Sequence, residues 1–333
     1  MEHLHRTSFS AQLSPRSEMI PAIKRALQKD ILFEPPPNYM AGQGDTYFSG
    51  KILAKLGRIL IIANEVGGVS PQAFRNAVTR LREGVEIWLN GSAASSMLYD
   101  RSWGGIIMCG CNYFYDEVEK KTGCYNKFPD CPAITDPGQN FGAGYYNDHH
   151  YHFGYHIYAA AVVAKFDPFW GRKYYQHVMM LVRDISNPSD DDKYFPTWRH
   201  KDWYLGWSWA SGIVTIGGKP YPNGRNQESV SEAISAYEAV ALYGEVMVCT
   251  TTVVCRDQSM MMMMHLSALI HSVGHLRLWR RYQPGGRSAD ADRFPGEGHG
   301  QAADGHRDPV SQGTVLLHCC RAWVGDTVIN SVR

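Results

Sequence analysis

The sequence predicts a mainly α-helical fold, and three observations carry that prediction. Apolar residues recur at helical spacing in one segment after another, capping residues stand where those stripes begin, and few stretches alternate in the two-residue rhythm of a strand. The 333 residues are 44% hydrophobic and 12% aromatic, enough to bury a substantial core in one large domain or two ordinary ones. Lys plus Arg is 33 against 32 for Asp plus Glu. With no long-range field to gather nucleic acid or anionic lipid, a neutral partner is expected.

The elements follow in order. The opening MEHLHRTSFSAQLSP has no apolar stretch of the secretory kind, and no later run is long and uncharged enough to span a bilayer, so a soluble chain is expected. Met19 to Asp30 reads as a short amphipathic helix that closes an N-terminal segment over residues 1–30, and Pro35 to Pro37 supply an extended linker. A longer helix carries Ile52, Leu53, Leu56, Ile59, Leu60 and Ala63 until Gly67 and Gly68 stop it. Ser70 and Pro71 cap and start the next, with Phe74, Ala77, Val78, Leu81, Val85 and Trp88 in one stripe.

From Leu98 to Asn147 the text turns to long loops or short strands, a length compact domains keep mainly where a site is lined. Of the eight cysteines, Cys124 and Cys131 flank a Pro-containing loop where they can pair, and free thiols fit equally well. Asp148 opens a helix to about Lys165, and Asp167-Pro168 starts another bearing Trp170, Tyr174, Val178, Leu181 and Ile185. A second long loop, DDDKYFPTWRHKDWYLGWSWASG, holds Trp198, Trp203, Trp207 and Trp209. The last helix runs from about Gln227 to Tyr243 and ends at Gly244, with Val230, Ala233, Ile234, Tyr237 and Ala241 as its apolar face.

Past residue 247 the composition breaks. Met260 to Met264 is a homopolymer run, Lys disappears, and Gly, Arg, His and Ala dominate. Residues 248–333 therefore read as a partly disordered tail, of the kind an out-of-frame or intron-derived translation would append to a helical domain at 31–247.

Three motifs offer chemistry. In NDHHYHFGYH, Asp148, His152 and His156 fall at helical spacing on one face. Asp148 as a simple cap beside core histidines is one reading, and a metal site is another, although no Glu follows His152 as a zinc protease motif would require. In GRNQESVSEAISAYEAVALYG, Glu228 and Glu232 stand four apart. Their repulsion, if partly buried, raises a pKa in the way a catalytic base needs; if solvated, they decorate a helix N-terminus. The Trp-rich loop, with Tyr151 and Tyr155, can stack on sugar faces or fill a core.

Together the stretches NDHHYHFGYHIYAAAVVAKFDP, KYFPTWRHKDWYLGWSWASG and GRNQESVSEAISAYEAVALYG, in this order, resemble the catalytic region of glycoside hydrolase family 81, the endo-1,3-β-glucanases, over about Asp30 to Met247. The resemblance implies an inverting hydrolase of 1,3-β-glucan, laminarin-like in substrate, needing no metal or other cofactor. Its catalytic module joins an N-terminal β-sandwich to an (α/α)6 toroid with the cleft across it. Here the sandwich has no counterpart and the helices number about half a ring, so an incomplete toroid, marginal in stability and with apolar stripes open to solvent, is expected.

By motif, Asp148 corresponds to the general acid and Glu228 and Glu232 to two essential glutamates, with Glu232 favoured as base and Glu228 as helper. His152 corresponds to a histidine that holds the site's hydrogen bonding. Tyr151, His156, His200, Asp202, Trp203, Trp207, Trp209 and Asn226, within the same motifs, are expected to line the glucan cleft. Inversion calls for carboxylates roughly 6.5 to 9.5 Å apart. The family suggests an extracellular or cell-wall setting, and Asn90-Gly91-Ser92 is a glycosylation sequon. Two alternatives stand beside this reading. One is a glucan-binding fragment without activity, and the other a metal-dependent hydrolase built on Asp148, His152 and His156.

Overall fold

The computed structural model describes residues 8–10, 13–35, 45–93, 95–118, 121–126, 128–197, 199–202, 204–213 and 226–251. Trp198, Trp203 and residues 252–333 of the expected tail lie outside the described residues.

Helices carry the fold, as the periodicity predicts. Helix α1 spans Ile20–Asp30 and has Pro21 in its first turn. Helix α2, Thr46–Val66, is capped by the Asp45 carboxylate, which accepts the Phe48 N–H at 2.5 Å, and it ends at Gly67 in the left-handed region (φ 70°). Helix α3, Pro71–Leu89, starts where Ser70 Oγ accepts the Ala73 N–H at 3.1 Å. Its stripe of Ala77, Leu81, Val85 and Trp88 is buried against α2's Leu53, Leu56 and Leu60 in one core. Each large apolar side chain removed from water there contributes about 1.5–3 kcal/mol.

The region after Leu98 resolves into two antiparallel hairpins. Strands β1 (Met97–Asp100) and β2 (Gly105–Met108) pair Met97 with Met108, and β3 (Tyr113–Asp116) and β4 (Lys121–Cys124) pair Tyr113 with Cys124. Of the two readings of Cys124 and Cys131, paired with each other or free, neither holds: the disulfides are Cys111–Cys124 and Cys109–Cys131. The reason is register: the second hairpin ends with Cys124 opposite Tyr113, which brings Cys111 beside it. The Ala133 N–H, meanwhile, donates to Cys109 O at 3.1 Å and draws Cys131 to Cys109. A short helix α4, Pro132–Thr135, and a 3-10 segment, Gln139–Tyr145, lead on to helix α5, His149–Phe166.

Helix α5 is the axis of the molecule, with buried residues on every side, packed between α2, helix α6 (Pro168–Ser186) and helix α7 (Val230–Thr251). Two glycines permit that closeness. A Cβ on Gly50 of α2 would sit 2.9 Å from Tyr155 Cβ, and one on Gly154 of α5 would sit 2.5 Å from Ala236 Cβ on α7.

Helix α7 departs from expectation at both ends. It begins at Val230, because Glu228 stands in the left-handed region (φ 50°) and its N–H is taken by the Asn226 side chain at 2.9 Å, a local bond that competes with helix. It runs through Gly244 to Thr251, since Tyr243, Val246 and Met247 remain buried beyond the point where glycine propensity alone would stop it. Of its expected apolar face, Ala233, Tyr237 and Ala241 are buried, while Val230 and Ile234 stay more than half exposed.

Candidate functional site

Asp148 sits at the head of α5 without capping it. Its backbone is left-handed (φ 57°) and its side chain makes no cap bond; the backbone N–H instead donates to Ala210 O at 2.9 Å, tying the residue to the Trp-rich loop. A non-glycine residue held in that region costs on the order of 1 kcal/mol and persists where its surroundings fix it. The carboxyl is thereby left free of structural duty. Burial, reinforced by the charges of Glu228 and Glu232, pushes its pKa up to about 8, so at neutral pH it holds a proton.

Glu232 is in the first turn of α7 and has the opposite environment. Tyr47 OH, from α2, donates to its Oε1 at 2.5 Å, and Tyr155 OH, from α5, donates to the same oxygen at 2.9 Å. Lys51 Nζ backs Tyr47, donating to its hydroxyl at 3.1 Å. Partial burial pushes the Glu232 carboxyl up, but the Tyr47, Ser229 and Tyr155 donors and the Lys51 charge outweigh it and hold the group below its ordinary value. The positive end of the α7 dipole acts in the same direction. Glu228, expected one helical turn before Glu232 on the same face, lies instead on the exposed turn ahead of the helix.

The fold thus brings the three expected carboxylates into one field, and it reassigns most of their expected neighbours. Tyr151 is buried: its hydroxyl donates to Gln227 O and accepts the Ser229 N–H at 2.8 Å, so it fixes the segment carrying Glu228. Asn226 shapes that segment through its side chain, while its carbonyl accepts the Ala210 N–H at 3.0 Å. Asp202 accepts the N–H groups of Tyr204 and Leu205, both at 2.9 Å, and so builds a turn. Trp207, 42% exposed, and the half-buried Trp209 stand edge to face at 5.6 Å and keep the form of a stacking surface.

His156 and His200, expected to line the cleft, are each only 1% exposed. His156 Nε2 bonds Thr46 O at 3.0 Å and His152 Nδ1 bonds Thr46 Oγ1 at 2.5 Å, so both serve the start of α2. Asp148, His152 and His156 do not come together as a ligand set among the described residues. The group of described residues near enough to share an ion is His149, Asp184 and His200, all buried. Two of its three members, His149 and Asp184, already have hydrogen-bond partners. His149 lies between Asp184 Oδ2 (2.6 Å) and Ala143 O (2.8 Å), and Asp184 Oδ1 accepts the Ile106 N–H at 2.8 Å with Arg199 Nη1 at 3.8 Å. That arrangement is a buried polar network beneath the turn that carries Asp148.

Sequence reasoning missed Tyr47, Lys51, Thr46 and Asp184, and read Tyr155 as a stacking or core ring without its hydroxyl bond to Glu232. Tyr47 lies 185 residues from Glu232, and no local pattern marks it. Phe48 and Phe141, both half exposed, stand beside Tyr47 with ring centroids 5.1 and 5.6 Å from it and extend an aromatic wall from the carboxylates.

Residues 14–128 and 130–273 match the family model for the Glycosyl hydrolase family 81 C-terminal domain. The chain belongs to glycoside hydrolase family 81. The family match extends 26 residues past Met247, into the segment expected to be foreign to the domain. Among curated family relatives, a glucan endo-1,3-β-D-glucosidase of Glycine max is 37% identical over 67% of this chain and 29% of its own length. One of Acetivibrio thermocellus is 34% identical over 60% of this chain and 22% of its own. A primary septum glucan endo-1,3-β-D-glucosidase of Schizosaccharomyces pombe is 31% identical over 60% and 17%. A solved family 81 structure from Clostridium thermocellum superposes with a TM-score of 0.51 at 27% identity, over 77% of this chain and 29% of that one. The chain spans less than a third of the length of these relatives.

Proposed function

We propose that this family 81 chain carries the acid and base of an endo-1,3-β-glucanase. Asp148 protonates the leaving glycosidic oxygen, and Glu232 takes a proton from water on the opposite face of the sugar, inverting the anomeric centre. Glu228 assists by holding the water and by keeping Asp148 protonated. One observation carries the reading: two carboxyls in one field are driven apart in pKa, Asp148 up to about 8 and Glu232 below its ordinary value. Trp207, Trp209, Phe48 and Phe141 supply the stacking surface that a neutral polysaccharide needs. The helices form part of the family's toroid.

A cell-wall or extracellular setting is supported by the two disulfides, which persist in oxidising compartments, and by the septum role in the name of the S. pombe relative. The test is reducing-sugar release from laminarin with product anomers read by NMR. Wild type is expected to release α-anomers and Asp148→Asn almost nothing. Equal release by both, with glucan still bound, would leave a binding fragment in place of an enzyme.

A further inference from the structure

Glu232 owes its placement to a segment the motifs do not include, the first two residues of α2. Tyr47 donates to Glu232 at 2.5 Å, Lys51 one turn later donates to Tyr47 at 3.1 Å with its Nζ 4.7 Å from the Tyr47 ring, and the Tyr47 ring lies 5.6 Å from that of His152. The residue before Tyr47 is held on three sides. Thr46 N–H donates to Asn140 Oδ1 at 3.0 Å, Thr46 Oγ1 is bonded to His152 Nδ1 at 2.5 Å, and Thr46 O is bonded to His156 Nε2 at 3.0 Å. Thr46, His152 and His156 are buried, and both histidines are kept neutral, first by that burial. The helix that presents Asp148 therefore also grips the residue that aims Tyr47.

We propose that Tyr47 is a positioning residue for the base, aimed at Glu232 by the grip of His152 and His156 on Thr46. Each part has one task. The phenol donates to the ionised carboxylate, fixing its rotamer and favouring its charged form; Lys51 polarises the phenol; and the Thr46 hydroxyl sets where α2 begins. His152, one turn after the acid, thus serves the base across the cleft. The groups facing Glu232 are Tyr47 and Lys51 from α2, Tyr155 and Tyr151 from α5, Asp148 at its head, and Ser229 ahead of α7, while Glu228 acts on Asp148 and Tyr151. Of these Tyr47 and Tyr155 share one carboxylate oxygen, so removing either hydroxyl leaves that oxygen with one phenol donor in place of two.

The proposal rests on the base role argued above, and two readouts on the full chain keep the two ideas separable. The first is the pH profile of kcat/KM on laminarin. Tyr47→Phe is expected to move the acid limb up by about one pH unit and to lower kcat about tenfold with KM nearly unchanged. Thr46→Val is expected to move the limb the same way, and Thr46→Ser, which keeps the hydroxyl, to bring it back. The second is the 13C titration of the Glu232 side-chain carboxyl, assigned by its loss in Glu232→Gln, which needs no turnover. There Tyr47→Phe is expected to raise the Glu232 pKa by about the same unit. A Glu232 titration indifferent to both Tyr47→Phe and Thr46→Val overturns the positioning role. A titration that shifts in a chain releasing no sugar keeps the positioning role and removes the base.

Discussion

The two walls of the site give the same functional group opposite environments. On the α5 side, Asp148 is half-buried, strained in its backbone, free of capping duty and faced by two like charges. On the α7 side, Glu232 stands at a helix start with two phenols on one oxygen and a lysine behind them. Neither wall contains residues of unusual type. The difference comes from withholding donors at one carboxyl and concentrating them at the other, and it lies in tertiary contacts more than in the motifs that mark the residues.

The largest effects come from removing one carboxyl at a time. General acid or base catalysis contributes about 10²–10⁴-fold, so Asp148→Asn and Glu232→Gln are each expected to cut kcat on laminarin by that factor while glucan binding persists. The environments then predict the profile: kcat/KM should fall on the alkaline side as Asp148 loses its proton around pH 8, and on the acid side only below the ordinary carboxylate range. If the alkaline limb survived in a Glu228→Gln variant without moving to lower pH, the like-charge account of Asp148 would fail.

A packing change sharpens the contrast without touching a carboxyl. Gly154 is where α5 meets α7, and an added Cβ would lie 2.6 Å from Ala236 Cα. Gly154→Ala is expected to cost about 1–3 kcal/mol by thermal unfolding and to slow turnover by spreading the two walls. The pair Gly154→Ala with Ala236→Gly should recover part of the loss, less about 1 kcal/mol for a glycine inside a helix. A pair no better than the single variant would show that backbone contact, beyond the two methyl positions, sets the approach.

What the sequence disclosed and what it hid divide along the range of the interactions. Ser70 and Asp167 announce α3 and α6 because capping is settled within four residues, and both side chains make the expected bonds. The start of α7 was misread because the left-handed turn at Glu228 depends on Asn226 and on Tyr151, which reaches it from 78 residues away. The disulfide pairing followed a hairpin register that composition does not encode. His156 and His200 share motifs with the candidate carboxylates, yet both are buried. A helix as thoroughly buried as α5 gives no amphipathic stripe to tell inner from outer faces. Asp148, Glu228 and Glu232 were legible as candidates, while their partners Tyr47 and Lys51 became visible only once α2 had been folded against them.

The smallest expected effect bears most directly on the two walls. In the unfolded chain Asp148 ionises near its ordinary 3.8, and in the folded one near 8, so across that window the native state holds a proton that the unfolded state has released. Stability is therefore lost as pH rises from about 4 to about 8, and Asp148→Asn should abolish that loss: little change in Tm near pH 4, and a gain of a few degrees near pH 8, on the order of 1–2 kcal/mol. For Glu232 the sign reverses. Its folded pKa lies below the unfolded one, so it contributes stability above about 4.5 that disappears as pH falls, and Glu232→Gln should lower Tm at neutral pH. Thermal melts of the two variants across pH 4 to 8 should then diverge in opposite directions from wild type. Shifts of the same sign would mean that the walls do not treat the two charges differently, and the division of acid from base would lose its physical ground.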